Sequence, residues 1–432
     1  MYKKICMVMA VVLSSSTQNV CSLAGKLDTT FNASGVQPGT VTTTIDNTIE
    51  QNVAQSIAIQ QDGKIVTAGY VIVGGVGRFA VARFNINGTL DATFNASGVQ
   101  PGTVSTTIEN TAASNAAFSV AIQQDGKIVV AGFADIGGAN RFAVARFKVD
   151  GTLDETFNPF PAPQPGTVTT TIENTAVSNN ALSVAIQQDG RIVVAGSADI
   201  GGVGRFAVAR FNVNGTLDTT FNPFPAPQPG TVSTTIENTA AVSVAQSVAI
   251  QQDGKIVAAG YAEIGGVNRF AVARFNINGT LDTTFNALGV QPGTVTTTID
   301  NTAASNYAFS VAIQQDGKIV TAGYVDFGLN VIRFAVARFN TNGTLDTTFN
   351  ASGVQPGTVS TTIENTTAVS VAFSVAIQQD GKIVAAGYAE INGVNRFAAA
   401  RFLGSGFLGI ATNNLCALRL IEKYGPRLTA QL

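Results

Sequence analysis

The chain has 432 residues, of which only 12% are charged and 45% hydrophobic, with 44 glycines, a formal net charge of −2, and neither histidine nor tryptophan. Without histidine there is no Ser-His-Asp or Cys-His nucleophile, no His-ligated zinc or haem, and no imidazole acid–base chemistry. The near-neutral balance excludes a strongly basic nucleic-acid binder.

Residues 1–24 read as a secretory signal. Lys3 and Lys4 make a basic start, Ile5 to Leu13 an apolar run of nine, and Ser22-Leu23-Ala24 a small-x-small cleavage site. A bilayer crossing takes ~20 apolar residues, so no transmembrane segment is expected in the mature chain. The expected location is periplasmic, cell-envelope or extracellular. Lipidation at Cys21 is the alternative address, weakened by Gln18-Asn19-Val20 ahead of it. Cleavage removes Cys6 and Cys21 and leaves Cys416 alone, so no internal disulfide is expected.

From Gly25 the chain repeats itself. Gln-Gln-Asp-Gly-Lys/Arg recurs with its aspartate at Asp62, Asp125, Asp189, Asp253, Asp316 and Asp380, a period of 63 or 64 residues. Arg-Phe-Ala-Val/Ala-Ala-Arg-Phe begins at Arg78, Arg141, Arg205, Arg269, Arg333 and Arg396, and Leu-Asp-x-Thr-Phe occurs six times from Leu27 to Leu345. Within one unit, Val104–Ile108 is β-branched and alternating, and Phe118–Gln124 alternates Val120 and Ile122 with Ser119 and Ala121. The Asp125-Gly126 turn then joins this run to Lys127–Phe133, the strongest short hairpin signal available. A fourth run, Arg141–Phe147, leads to a turn at Asp150-Gly151. No part of the unit has helical periodicity.

Four short strands repeated six times predict an all-β chain, a six-bladed β-propeller of four-stranded antiparallel blades over residues 25–403. A β-helix needs a coil every ~20–25 residues. A transmembrane barrel needs one apolar lipid-facing side, which Arg141 and Arg146, five apart on opposite faces, deny. Phe142 and Val144 share one face of their strand and Ala143, Ala145 and Phe147 the other, so bulky side chains of one blade are expected opposite small ones of the next. These motifs resemble the bacterial delta-60 repeat family, a propeller-type domain of unknown function. The resemblance spans Gly25 to Phe402, implies a bacterial and exported setting, and transfers no catalytic residue.

The last unit stops at Phe402, whereas the first is preceded by Leu27–Ile45, the piece that follows the other units. Leu27–Ile45 is therefore expected to dock beside Arg396–Phe402 and close the ring. Residues 404–432 leave the pattern and are read as a tail, with Asn414 capping a short helix to about Lys423.

Alternating connections divide the loops between two rims. One rim carries Asp46, Glu109, Glu173, Glu237, Asp300 and Glu364, together with Glu50 and the second-loop acids from Asp135 to Glu390, against the six arginines of the Arg78 type. It also carries most of the variation among units. The six carboxylates from Asp46 to Glu364 are thus the candidate ligand ring, weighed against solvated loop charges neutralised by arginine. On the balanced second rim, Arg83 and its copies are expected to pair with aspartates such as Asp91. Tyr70, Tyr261, Tyr324 and Tyr388 follow an Ala-Gly and fit either packing between blades or stacking on a sugar. No cofactor is indicated; calcium suits an exported chain, but no Asp-x-Asp-x-Asp-Gly loop is present. The expected function is an exported, monomeric, non-catalytic binding or scaffold module for a glycan or a basic protein surface. A carboxylate-based glycan hydrolase or lyase, and a surface adhesion or self-assembly protein, are the alternatives.

Overall fold

The computed structural model describes residues 27–404 apart from 330, 366 and 367. The signal and the tail helix lie outside the described residues. The chain is a β-propeller of six antiparallel sheets. Five have four strands and the sixth, Ser370–Ile377, Ile383–Ile391 and Val394–Phe402, has three. In the second sheet the strands are Asn115–Ile122, Ile128–Ile136, Ala139–Phe147 and Thr167–Thr170, side by side in chain order. The expected hairpin forms there. Gly126 takes a left-handed φ of 83°, and the Lys127 amide donates to Asp125 Oδ1 over 3.2 Å. A second tight turn, Gly137-Gly138, joins the next two strands with φ of 67° and 83°, as a two-residue hairpin loop requires.

The sheets divide the chain differently from the repeated sequence unit. The run at Val104 joins the preceding sheet as its outer strand, with Val81 opposite Val104 and Phe79 opposite Thr106. The long connection dictates this. Leu90 bridges back to Phe84, the Asp91 amide donates to Arg83 O, and the Arg83 amide donates to Gly102 O, so Thr103 is delivered to the free edge it has just left.

Face-to-face packing follows the expected alternation. Phe79 and Val81 of the first sheet meet Ala143, Ala145 and Phe147 of the second, with Phe94, Val104 and Ile108 wedged between them. Phe142 and Val144, on the opposite face, meet Ala207, Ala209 and Phe211 of the third sheet. Each fully buried Phe or Val contributes about 1.5–3 kcal/mol of transfer free energy.

Arg83 and Asp91 pair as expected, Nε to Oδ2 at 2.8 Å, with the guanidinium 4.6 Å from the Phe94 ring centroid. Lys64 of the Asp-Gly-Lys turn joins them at 3.0 Å, a contact the hairpin signal did not suggest. Arg83 also donates through Nη1 to Val149 O of the next sheet over 2.5 Å, so the cluster ties neighbouring sheets together. Burial alone would raise the carboxyl of the equivalent Asp282. The Thr284 hydroxyl, Lys255, the Thr284 amide and Arg274 outweigh it and hold the group at about 2.

The ring closure expected from the sequence is not made. Leu27–Ile45 lies on the first sheet, with Val41 and Ile45 in a small cluster with Val71, Ala80, Ala82 and Phe84. The sixth sheet has no fourth strand among the described residues.

Candidate functional site

First strands of successive sheets lie against one another, so they form the inner edge and the fourth strands the outer edge. Five of the carboxylates expected to form a ligand ring, Glu109 to Glu364, follow fourth strands and therefore sit at the outer edge, and Asp46 follows the Thr40–Thr43 segment, unpaired among the described residues, that repeats such a strand. Five of the six accept hydrogen bonds from the next sheet's outer strand. Asp46 accepts from the Ser105 hydroxyl (2.5 Å), Glu109 from the Thr169 amide (2.9 Å) and Glu173 from the Ser233 amide (2.8 Å). Glu237 accepts from the amide and hydroxyl of Thr296, both at 2.9 Å, and Asp300 from the Ser360 hydroxyl (2.5 Å). Glu364, next to the three-stranded sheet, is exposed. Among the described residues no ion pair joins these acids to arginines of the Arg78 type; Arg141 donates instead to Thr175 O over 3.1 Å. The carboxylates clip one sheet to the next.

The inner strands carry a different device. Each contains a bulge against the second strand, as between Ala117 and Ser119, which leaves one unpaired residue. The six bulged residues are Gln55, Phe118, Leu182, Gln246, Phe309 and Phe373. A glycine faces every bulge. A Cβ on Gly69, Gly132, Gly196, Gly260, Gly323 or Gly387 would fall onto a carbonyl oxygen of the inner strand. Glycine within a strand marks such close backbone approach, and bulges re-aim side chains beside binding sites. After the bulge, the Ser56 hydroxyl accepts from the Val120 amide of the next sheet at 3.2 Å, and four further serines repeat this contact.

Around this constant backbone the side chains vary, and in the fourth to sixth sheets they form a continuous aromatic track. Ring centroids are 4.9 Å apart for Tyr261–Tyr307 and Tyr307–Tyr324, 5.7 Å for Tyr324–Phe309, 5.4 Å for Phe309–Phe373 and 5.8 Å for Phe373–Tyr388. All are half-buried except Phe373, which is 52% exposed. Asn268 donates to the Tyr307 hydroxyl oxygen over 2.7 Å, leaving the phenol proton free to donate outward. Burial, then the neighbouring Tyr307 and Asp326, pushes Tyr324 up to about 12, so its hydroxyl stays protonated. Tyr261 packs across to Tyr307 of the next sheet, the between-blade packing expected of it, whereas Tyr388 meets Phe373 of its own sheet. Phe118, Tyr307, Phe309 and Phe373 were not anticipated, although an Ala-Gly inside every second strand was a readable sign of the bulge opposite.

Among the described residues no three acids or cysteines gather as metal ligands, and no helix is long and apolar enough to cross a membrane. Six segments, residues 60–94, 123–157, 187–221, 251–285, 314–349 and 378–408, match the family described as "Domain of unknown function (DUF5122) beta-propeller". No curated protein matches. Among solved structures, a protein of unknown function from Dyadobacter fermentans DSM 18053 is 11% identical, with a TM-score of 0.43 over 81% of this chain and 93% of that one. The polysaccharide lyase Uly1 is 10% identical, with a TM-score of 0.40 over 82% of each chain. A GH43 endo-arabinanase from Bacillus licheniformis is 12% identical, with a TM-score of 0.36 over 67% of this chain and 94% of that one. Six copies of a propeller-type repeat of unknown function thus run through the chain, one in each of its six sheets.

Proposed function

We propose that the chain is an exported, non-catalytic carbohydrate-binding module whose ligand lies along the inner aromatic track. The observation that carries this reading is the run of six rings from Tyr261 to Tyr388, accessible across three adjacent sheets. Sugar rings have apolar faces that stack on aromatic rings and hydroxyl edges that pair with phenols, amides and carboxylates. Tyr307, Tyr324, Asn268 and Asp326 offer those polar groups beside the rings. Export rests on the basic and apolar start of the chain. The acids Asp46, Glu109, Glu173, Glu237 and Asp300 support the module by clipping its sheets together, which keeps the inner track rigid.

The test is retardation of the protein in native gels cast with soluble polysaccharides, followed by titration against the one that retards it. Tyr324→Ala should weaken binding about tenfold, equivalent to ~1.4 kcal/mol. Glu155→Gln, on the opposite rim, should leave it unchanged. Loss of binding in Glu237→Gln with full binding in Tyr324→Ala would move the ligand to the outer acids and contradict the proposal.

A further inference from the structure

Five sheet-to-sheet seams in the molecule are copies of one another, and the parts of a sixth are present but divided between its two ends. In every complete seam a phenylalanine of the third strand is buried against the next sheet: Phe79, Phe142, Phe206, Phe270 and Phe334 are all 0% exposed. Their counterpart in the last sheet, Phe397, is 106% exposed. On the receiving side, Val120, Val184, Val248, Val311 and Val375 are 7–8% exposed, whereas their counterpart in the first sheet, Ile57, is 63% exposed. Beside Ile57 an open apolar cleft of about 360 Å³ is lined by Phe31, Val41, Ile45, Ala54, Ala80 and Ala82. These are the counterparts of the residues that hold Phe79 in the first complete seam.

The polar parts are divided in the same way. Among the described residues, Thr40–Thr43 repeats the outer strand Thr103–Thr106 but pairs with no strand, and Val394–Phe402 pairs on one edge only. The register of Phe79–Ala82 on Thr103–Thr106 would set Ala398 opposite Thr42. Gln100 Oε1 accepts from the Asn47 amide across the first outer clip, and four homologous glutamines accept from Asn110, Asn174, Asn238 and Asn301. Gln37 at one end and Asn365 at the other are the unmatched members of that series. Ser374, which continues the series of hydroxyls accepting from the next sheet, is exposed.

We propose that these two surfaces dock head to tail between copies of this chain. The Phe397 face of one copy fills the Ile57 cleft of the next, and Thr40–Thr43 becomes the fourth strand of its neighbour's sixth sheet. A single chain leaves both halves open while its five seams are formed, so a second copy completes the sixth without altering any of them. Such a heterologous contact extends into a filament or closes into a larger ring. Assembly of this kind replaces the monomer expected from the sequence.

The test pairs Thr42→Cys with Ala398→Cys in the full chain, with Cys6, Cys21 and Cys416 changed to Ser, under mild oxidation. A ladder of multiples on a non-reducing gel, collapsed by dithiothreitol, is the expected result. A band at the single-chain mass with altered mobility would show closure within one chain and overturn the proposal, as would the absence of any cross-link. Sedimentation of the unmodified protein should give a mass that rises with concentration, and Phe397→Asp should return it to the mass of a single chain. Phe397 is exposed in the single chain, so this variant should melt no lower than a dilute unassembled sample. A concentration-independent monomer before substitution would contradict the proposal directly.

Discussion

A methyl group at Gly132 would land on the carbonyl oxygen of Ala116, and the same holds at the five equivalent glycines. Gly132→Ala should therefore cost at least about 2 kcal/mol in urea unfolding, within the range set by backbone and packing clashes. Gly137→Ala, at a turn with a left-handed φ and nothing within 4 Å of the added carbon, should cost only about 1–2 kcal/mol. Equal losses would show that the bulge does not depend on the glycine. The buried Arg83–Asp91 pair makes a second demand on single residues. Asp91→Ala leaves a guanidinium 3% exposed without its carboxylate, and breaking such pairs costs about 3–5 kcal/mol. Asp282 and Asp346 are each held down at about 2, by their threonines and lysines against the opposing effect of burial. Groups depressed in this way stabilise the fold fully above their unfolded value, ~3.9. That stability is lost as pH falls through the folded value. The melting temperature should thus fall between about pH 4 and pH 2; a flat profile over that window would contradict the pairing.

At the scale of the element, what was legible depended on how local the pairing was. Asp125-Gly126 announced its hairpin because the turn residues and both flanking strands lie within a few positions of one another. Val104–Ile108 was legible as a strand but not as a member of the preceding sheet. Its assignment comes from the hydrogen bonds of the Leu90–Gly102 connection, which run from Arg83 to Gly102 and from Gly102 to Phe94. The carboxylates from Asp46 to Asp300 looked like free rim charges because their partners stand 59 or 60 residues away, on the next outer strand. If they are clips, Glu173→Ala, which removes the acceptor, should lower the melting temperature by a few degrees, as about 1 kcal/mol would, and leave the aromatic track intact. An unchanged melt would return Glu173 to the free charges.

For the whole molecule, the low charge first noted in the composition has a structural cause: most sheets are buried on both faces, and their polar groups are spent on clips between sheets. The alternation of Phe and Ala along Arg141–Phe147 predicted that stacking because each strand must present one bulky and one small face to two different neighbours. Closure was less legible. The repeat showed that the two ends carry complementary pieces, but in the structure Leu27–Ile45 packs on the first sheet and Phe397 of the last stays exposed. The missing tryptophan becomes useful at this scale. The chain has seven tyrosines, and Tyr261, Tyr307, Tyr324 and Tyr388 all stand in the proposed binding track. Tyrosine emission therefore reports on that surface without a tryptophan background. Titration with a polysaccharide that retards the protein in native gels should change this emission saturably, and Tyr307→Ala with Tyr324→Ala should remove both the change and the retardation; saturable binding with unchanged tyrosine emission would contradict the account.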